Sequence, residues 1–216
     1  MSAIPASPSA DDYAREAERD LSWVDAEDPV ALFERWLGEA GRTEPNDPNA
    51  VTLATVDAQG RPDARVVLLK GISDAGFDIY TNSESAKGEQ MRSHPHAALC
   101  FHWKSQRRQV RVRGPVEPVG EAASDAYFAT RARGSRLSAW ASRQSRPARD
   151  RAELRAAMAA AEARFEGKDV PRPPHWYGFR VRPDTIEFWQ DGAFRLHDRI
   201  LFTRAGDGWD RARLYP

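Results

Sequence analysis

Cations and hydroxyls recur in this chain in short clusters, and clusters of that kind bind phosphate. Arg65-Val-Val-Leu-Leu-Lys70 carries a cation at each end of an apolar run. On a strand, Arg65, Val67 and Leu69 share one face, and Val66, Leu68 and Lys70 share the other. The two cations then point to opposite faces, either as solvated strand ends or toward two different anions. Ser83-Glu-Ser-Ala-Lys87 reads as a Ser-rich turn entering a helix. Such a turn offers N–H groups, hydroxyls and an ammonium to a phosphate; an ordinary capped helix with an exposed lysine has the same sequence. Tyr127 and Arg131 stand four apart on a helical stretch and share a face. With Ser135 they make a good phosphate set, or a plain surface Tyr–Arg stack.

The segment from Trp189 to Arg199 is the most informative. Asp191-Gly192 suits a hairpin turn, after which Arg195, His197 and Arg199 alternate along one strand face. Two guanidiniums flanking an imidazole repel unless an anion or solvent compensates. Upstream, Arg107, Gln109, Arg111 and Arg113 alternate with Arg108, Val110 and Val112, which a solvated strand face explains. Nucleic-acid binding would need clustered aromatics and net basic charge. The chain has 32 Lys+Arg against 32 Asp+Glu, so neither a nucleic acid nor a membrane surface is expected as partner. No Ser/His/Asp or Cys/His nucleophile set assembles. His94, His96 and His102 lack an acidic or thiol partner at ligand spacing, so no metal is expected. No Gly-rich dinucleotide loop or phosphate-binding P-loop is present.

These residues need a scaffold. With 41% hydrophobic residues among 216 and a mean hydropathy of -0.68, the chain reads as folded with a well-solvated surface. Cys100 is the only cysteine, which excludes an intrachain disulfide and a zinc-binding cysteine cluster. No apolar run approaches the ~20 residues of a membrane helix. Met1 to Ala10 lacks the basic start and apolar centre of a signal peptide, so a cytoplasmic protein is expected. Residues 1–28 read as a flexible tail, acidic and with helical character from Asp11 to Asp20. Asp28-Pro29 opens a helix ending near Gly41, with Leu32, Phe33, Trp36, Leu37 and Ala40 on one face. Strands are expected at 51–56, 65–70, 76–81, 97–103 and 109–116, joined by brief turns that favour antiparallel pairing. Helices are expected at 85–93, 120–131 and 150–165, with an Arg/Ser-rich connection before the last. After Pro171-Arg-Pro-Pro174, strands follow at 177–181, 185–190, 195–204 and 209–214. The pattern predicts a β-barrel with peripheral helices, a single domain over 29–216.

The phrases DPVALFERWL, VTLATVD, RVVLLK, YTN, RRQVRVRG, ASRQS, IEFWQ and RLHDR occur in that order, followed by RLYP. From about Asp28 to Pro216 the sequence resembles the pyridoxamine/pyridoxine 5'-phosphate oxidase family. The resemblance implies a mainly β fold with peripheral α, an antiparallel Greek-key split β-barrel. It implies non-covalent FMN at a homodimer interface, with both subunits contributing to each site. The FMN set it implies is Arg65, Val66, Val67, Leu68, Leu69, Lys70, Tyr80, Thr81, Lys87, Gln109, Gln144, Ser145, Trp189 and Arg199. The implied substrate set is Lys70, Tyr127, Arg131 and Ser135 on the phosphate, with Arg195, Leu196 and His197 at the pyridine ring. Arg195 and His197 are the implied catalytic residues, acting as orienting and electrostatic groups. The implied reaction is oxidation of pyridoxamine or pyridoxine 5'-phosphate by O2 to pyridoxal 5'-phosphate and hydrogen peroxide, with ammonia from the amine. That places the chain in pyridoxal phosphate biosynthesis and salvage.

Two departures stand out. Where many relatives have Arg-Lys, this chain has Ala86-Lys87, which leaves one FMN phosphate contact to water, Ser83 or Ser85. Relatives' Arg-rich lid segment ending in Tyr has the counterpart Asp11-Asp12-Tyr13, which lacks the arginines. Two rival readings keep parts of the resemblance: an FMN split-barrel oxidase of another, phenazine-type substrate, and a flavin- or pyridoxal-phosphate-binding protein without turnover.

Overall fold

The computed structural model describes residues 20–216; the acidic stretch from Asp11 and the Asp11-Asp12-Tyr13 segment lie outside the described residues, Asp20 excepted. Nine strands form in chain order: β1 Ala50–Val56, β2 Pro62–Ser73, β3 Gly76–Asn82, β4 His96–Trp103, β5 Arg108–Pro118, β6 Trp176–Val181, β7 Thr185–Gln190, β8 Asp198–Ala205 and β9 Gly208–Arg213. Every pairing is antiparallel. Six strands close a barrel in the order β4-β1-β2-β3-β6-β5, with β5 pairing back to β4. Strand β5 serves two layers. Its residues 116–118 pair with β6, while 108–113 pair with β7, from which β8 and β9 continue outward. At that branch a Cβ on Gly114 would lie 1.8 Å from the Arg182 carbonyl oxygen, so only glycine lets the β6–β7 link pass.

The alternation of apolar residues builds the interior, because successive strand side chains face opposite ways. Val51, Leu53, Leu69, Phe77, Ile79, Leu99, Phe101, Val110 and Val112 are buried in one core. Helix α1, Pro29–Thr43, covers it. Asp28 Oδ1 accepts from the N–H groups of Val30 at 2.8 Å and Ala31 at 3.1 Å, which fixes the helix start. Its apolar face presents Phe33, 5.0 Å from the Phe77 ring and 4.8 Å from Phe101, both edge-on. Such pairs add ~0.5–1.5 kcal/mol each beyond area burial. Trp23, within the stretch expected as tail, lies in a 3-10 turn (Ser22–Asp25), is 1% exposed, and packs 5.0 Å from Trp36. The packed part of the chain therefore begins before Asp28.

Four further helices sit outside the barrel: α2 Ala86–Ser93, α3 Glu121–Thr130, α4 Arg133–Ala141 and α5 Arg151–Arg164. Helix α4 occupies the expected Arg/Ser-rich connection. Its propensity is poor, with Gly134 and two serines, and tertiary contacts hold it. Leu137 packs with Ala161, Phe165 and Val170. Arg133 donates to the carbonyls of Phe165 and Lys168, and Trp140 Nε1 to that of Pro171. Among the described residues no helix is long and apolar enough to cross a membrane.

The chain after β7 departs from expectation. The expected strand from Arg195 begins only at Asp198, because Gln190 pairs with Asp198 and residues 191–197 form the loop between. Ala193–Arg195 is a 3-10 turn with left-handed φ at Phe194 (54°) and Arg195 (66°). Two contacts impose this local turn over extended pairing: Leu196 N–H donates to Ala193 O at 3.0 Å, and Gly192 N–H to His197 Nδ1 at 3.1 Å. Arg195 and His197 thus share a loop, not a strand face with Arg199.

Candidate active site

A cavity of ≈ 590 Å³ opens between β2, β3 and the helices α3 and α4. Three cations line it, Lys70, Lys87 and Arg131, and no carboxylate does. Val66, Leu68 and Lys70 reach it from one face of β2, and Val67, expected on the opposite face, lines it as well. Tyr80, Thr81, Tyr127, Ser135 and Gln144 complete the residues expected there. Thr81 Oγ1 donates to Gln144 Oε1 at 3.3 Å.

Lys87 is not the exposed lysine of an ordinary capped helix. It is 8% exposed, and its Nζ donates to Ser85 Oγ at 3.1 Å and Thr81 Oγ1 at 3.4 Å. Ser85 caps α2 by accepting from Gly88 N–H. Among the described residues no carboxylate pairs with Lys87. Burial, and secondarily the Arg65 charge, hold its ammonium below the ordinary 10.5; Asp63 acts the other way. A buried cation satisfied only by hydroxyls is costly unless an anion joins it.

Arg131 caps the end of α3 and lies over an aromatic floor. Its guanidinium carbon is 4.7 Å from the Trp176 ring centre and 5.5 Å from that of Phe128. Its Nη1 is buried and has no hydrogen-bond partner. Burial pushes Arg131 below the ordinary arginine value, with the Tyr127 phenol acting oppositely. Tyr80 and Tyr127 stack at 4.2 Å, and Tyr127 is within 10° of parallel to Trp176. Burial, then the Asp78 charge, raise the Tyr80 phenol.

The remaining expected residues lie elsewhere. Gln109, Trp189 and Arg199 are register partners across β5, β7 and β8, so they form one row on the outward face. Arg199 donates to Glu187 Oε1 at 2.9 Å and to the Tyr215 carbonyl at 2.8 Å. Glu187, 4% exposed, also pairs with Arg111. The expected repulsion around His197 is therefore met by carboxylates: Glu187 at Arg199, and Asp191 Oδ1 3.1 Å from His197 Nδ1. In the neutral ring Nδ1 accepts from Gly192 N–H, which puts the proton on Nε2; the protonated ring donates Nδ1–H to Asp191 instead. Arg195 and Leu196 are exposed.

Within the β2 set, Leu69 points into the core, and its backbone N–H and C=O both bond Asn49. Arg65 faces away from the cavity. It donates to Leu53 O, Thr55 Oγ1, Gln90 Oε1 and Asp63 Oδ2. Ser145, with φ 69°, is exposed next to Gln144 and does not line the cavity. Sequence reasoning missed Asn82, Ala132, Ser138, Ala139, Ser142 and Trp176 in the lining. Ser135, Ser138, Ala139 and Ser142 recur at i, i+3, i+4 and i+7, a helical signal that the low propensity of α4 hid.

Residues 37–165 match the family model of pyridoxamine 5'-phosphate oxidase, and residues 176–216 match that of the pyridoxine 5'-phosphate oxidase C-terminal dimerisation region. The chain belongs to the pyridoxamine 5'-phosphate oxidase family. Among family members, a pyridoxine/pyridoxamine 5'-phosphate oxidase from Caulobacter vibrioides is 57% identical over 215 residues, covering 99% of this chain and 97% of the relative. One from Azorhizobium caulinodans is 59% identical, covering 95% and 99%. The crystal structure of PhzG from Burkholderia lata 383, in complex with tetrahydrophenazine-1-carboxylic acid, superposes with a TM-score of 0.84 at 32% identity, covering 92% and 98%. An FMN-binding, pyridoxamine 5'-phosphate oxidase-related protein from Nostoc punctiforme shares the fold at 18% identity, with a TM-score of 0.69 over 88% and 98%. The expected family and split-barrel fold are both correct.

Proposed function

We propose that this chain oxidises pyridoxamine 5'-phosphate and pyridoxine 5'-phosphate with O2, using non-covalent FMN in a homodimer. The observation that carries the reading is the cavity with Lys70, Lys87 and Arg131 and no acid. Two phosphorylated ligands would neutralise it. The residues fit FMN: Lys87 is a buried ammonium at a helix start with only hydroxyl partners, where a phosphate is the natural complement. The chemistry supplied by bound FMN is acceptance of a hydride from the substrate carbon and its delivery, with a proton, to O2 as hydrogen peroxide. Water then converts the amine-derived product to pyridoxal 5'-phosphate and ammonia.

The protein's part is placement. Lys70, Tyr127, Arg131 and Ser135 hold the substrate phosphate. Lys87, Thr81 and Gln144 hold the cofactor, with Tyr80 and the Val66–Leu68 stretch along it. Gln109, Trp189, Arg195, Leu196, His197 and Arg199 lie off this cavity, and all but Gln109 fall in the segment matching the dimerisation region. They complete the site of a second copy. Arg195 and His197 orient the ring and stabilise charge; hydride transfer needs no strong base from them.

The test is direct. Purified protein should be yellow with flavin absorbance, and pyridoxamine 5'-phosphate should release peroxide and pyridoxal 5'-phosphate in equal amounts. Bound flavin without peroxide would leave a carrier. Turnover of a phenazine precursor but not of the phosphate ester would favour the PhzG-like reading.

Gly88→Ala probes the cofactor end. A Cβ there would lie 2.4 Å from the Ser83 carbonyl oxygen, and Ser83 is itself tied to His175 O through N–H and Oγ. The start of α2 must shift, at a cost of about 1–3 kcal/mol, and Lys87 moves with it. Lower Tm together with weaker FMN binding, read by flavin fluorescence titration, is expected; unchanged flavin affinity would contradict the placement of Lys87.

A further inference from the structure

We propose that Trp176 is a positioning residue for the substrate phosphate, holding Arg131 edge-on to the cavity and thereby setting the preference for phosphorylated over unphosphorylated substrate. This rests on the function proposed above and assigns a role to a residue outside the expected phosphate set.

Arg131 has no carboxylate to orient it among the described residues. It leaves α3 at the C-cap with extended backbone, φ -74° and ψ 145°, so no helical turn fixes it. What touches its guanidinium is aromatic: Trp176 at 4.7 Å and Phe128 at 5.5 Å. A guanidinium presents all five N–H groups in its own plane. An indole that holds the guanidinium by its face would take no donor and leave the edge for an anion. Nη1, closed off from solvent and without a hydrogen-bond partner, shows that the fold itself provides no acceptor for this group.

Trp176 is well placed for the task. It opens β6, pairs in register with Asn82, and is 7% exposed. Its carbonyl accepts from Arg172 Nη1 at 2.9 Å, and Arg172 Nε donates to Asp125 of α3 at 2.6 Å. Phe128 meets the indole edge-on at 5.0 Å. Strand and helix are thus clamped together with the indole between them. A carboxylate in place of the indole would occupy the donors that phosphate needs. A cation–π contact attracts the guanidinium without competing for them.

The test uses the full-length, FMN-loaded protein. Trp176→Leu should raise KM for pyridoxamine 5'-phosphate about tenfold, with kcat changing far less and the flavin spectrum retained. The inhibition constant of inorganic phosphate, as competitor, should rise in parallel. Trp176→Phe keeps a ring face and should restore most of the affinity. Unchanged KM and phosphate inhibition in Trp176→Leu would overturn the proposal, as would equal impairment in Trp176→Phe. Should Trp176→Leu fail to fold, Trp176→Met, which fills the volume without a ring, takes its place. Wild-type protein that binds FMN but releases no peroxide would refute the proposed function instead. Calorimetric phosphate affinity in the same variants would then decide the role of Trp176 by itself.

Discussion

A Lys87→Met protein is expected to fold, to withstand heating better than the wild-type apoprotein, and to lose FMN. The three effects share one cause. Lys87 is buried, carries no ion pair among the described residues, and has only Ser85 and Thr81 hydroxyls as partners. Without cofactor it is an uncompensated charge, so methionine of similar length relieves a cost. With cofactor it supplies charge-assisted bonds of about 1.5–3 kcal/mol each, so its loss should weaken FMN about a hundredfold. The pH dependence has a definite sign. The folded value of Lys87 lies below its ordinary 10.5, so protonation is penalised in the fold. Wild-type apoprotein should gain stability as pH rises from the folded value toward 10.5, and the variant should lose that increment. Thermal melts of both apoproteins across that range, with flavin titration, check it. Stoichiometric FMN in the variant would sink the assignment.

Arg195→Leu should cut kcat/KM well beyond tenfold, more than about 1.4 kcal/mol of transition-state stabilisation. Arg195 is exposed and makes no ion pair among the described residues, so folding and FMN content should persist. Unchanged kinetics would remove Arg195 from the reaction. The two variants also test each other. Lys87 lines the cavity and Arg195 does not. If each site draws on two copies, a mixed dimer of Lys87→Met and Arg195→Leu chains contains one intact site. Random mixing should then recover about a quarter of wild-type activity, whereas sites built within one chain would recover none.

Much of this arrangement was legible in the sequence, where local pattern determined geometry. Alternation put Arg65 and Lys70 on opposite faces because β2 keeps its register up to the irregularity between Leu69 and Gly71. Tyr127 and Arg131 both line the cavity, as their separation of four suggested, although Arg131 is the C-cap and lies just outside the helix. What was hidden depended on contacts distant in sequence. Lys87 is buried because Gly88 lets α2 press on the Ser83 turn, which is pinned by His175. Helix α4 exists because Leu137, Arg133 and Trp140 find partners between residues 161 and 171, against its own propensity. The 191–197 loop is the local exception: an imidazole nitrogen five residues along captured a backbone N–H and defeated alternation. The resemblance supplied the off-cavity residues as site members, which spacing alone would not have done.

The two family matches divide the chain between residues 165 and 176, yet β6 begins at Trp176 and inserts between β3 and β5. Phe77, paired with Ile72 on one side, finds its second partner only at Val181. During synthesis, the emerging chain must therefore carry an open sheet with two bare strand edges until almost everything has left the ribosome. Such edges recruit other chains, and domains with late-arriving partners are exposed to misassembly for that whole interval. A ribosome stalled before β6 would release a sticky fragment in place of a smaller working protein. For the same reason the C-terminal segment is no exchangeable cassette: a graft from a relative must match β3 and β5 of this barrel before it can bring its own loop to a neighbour.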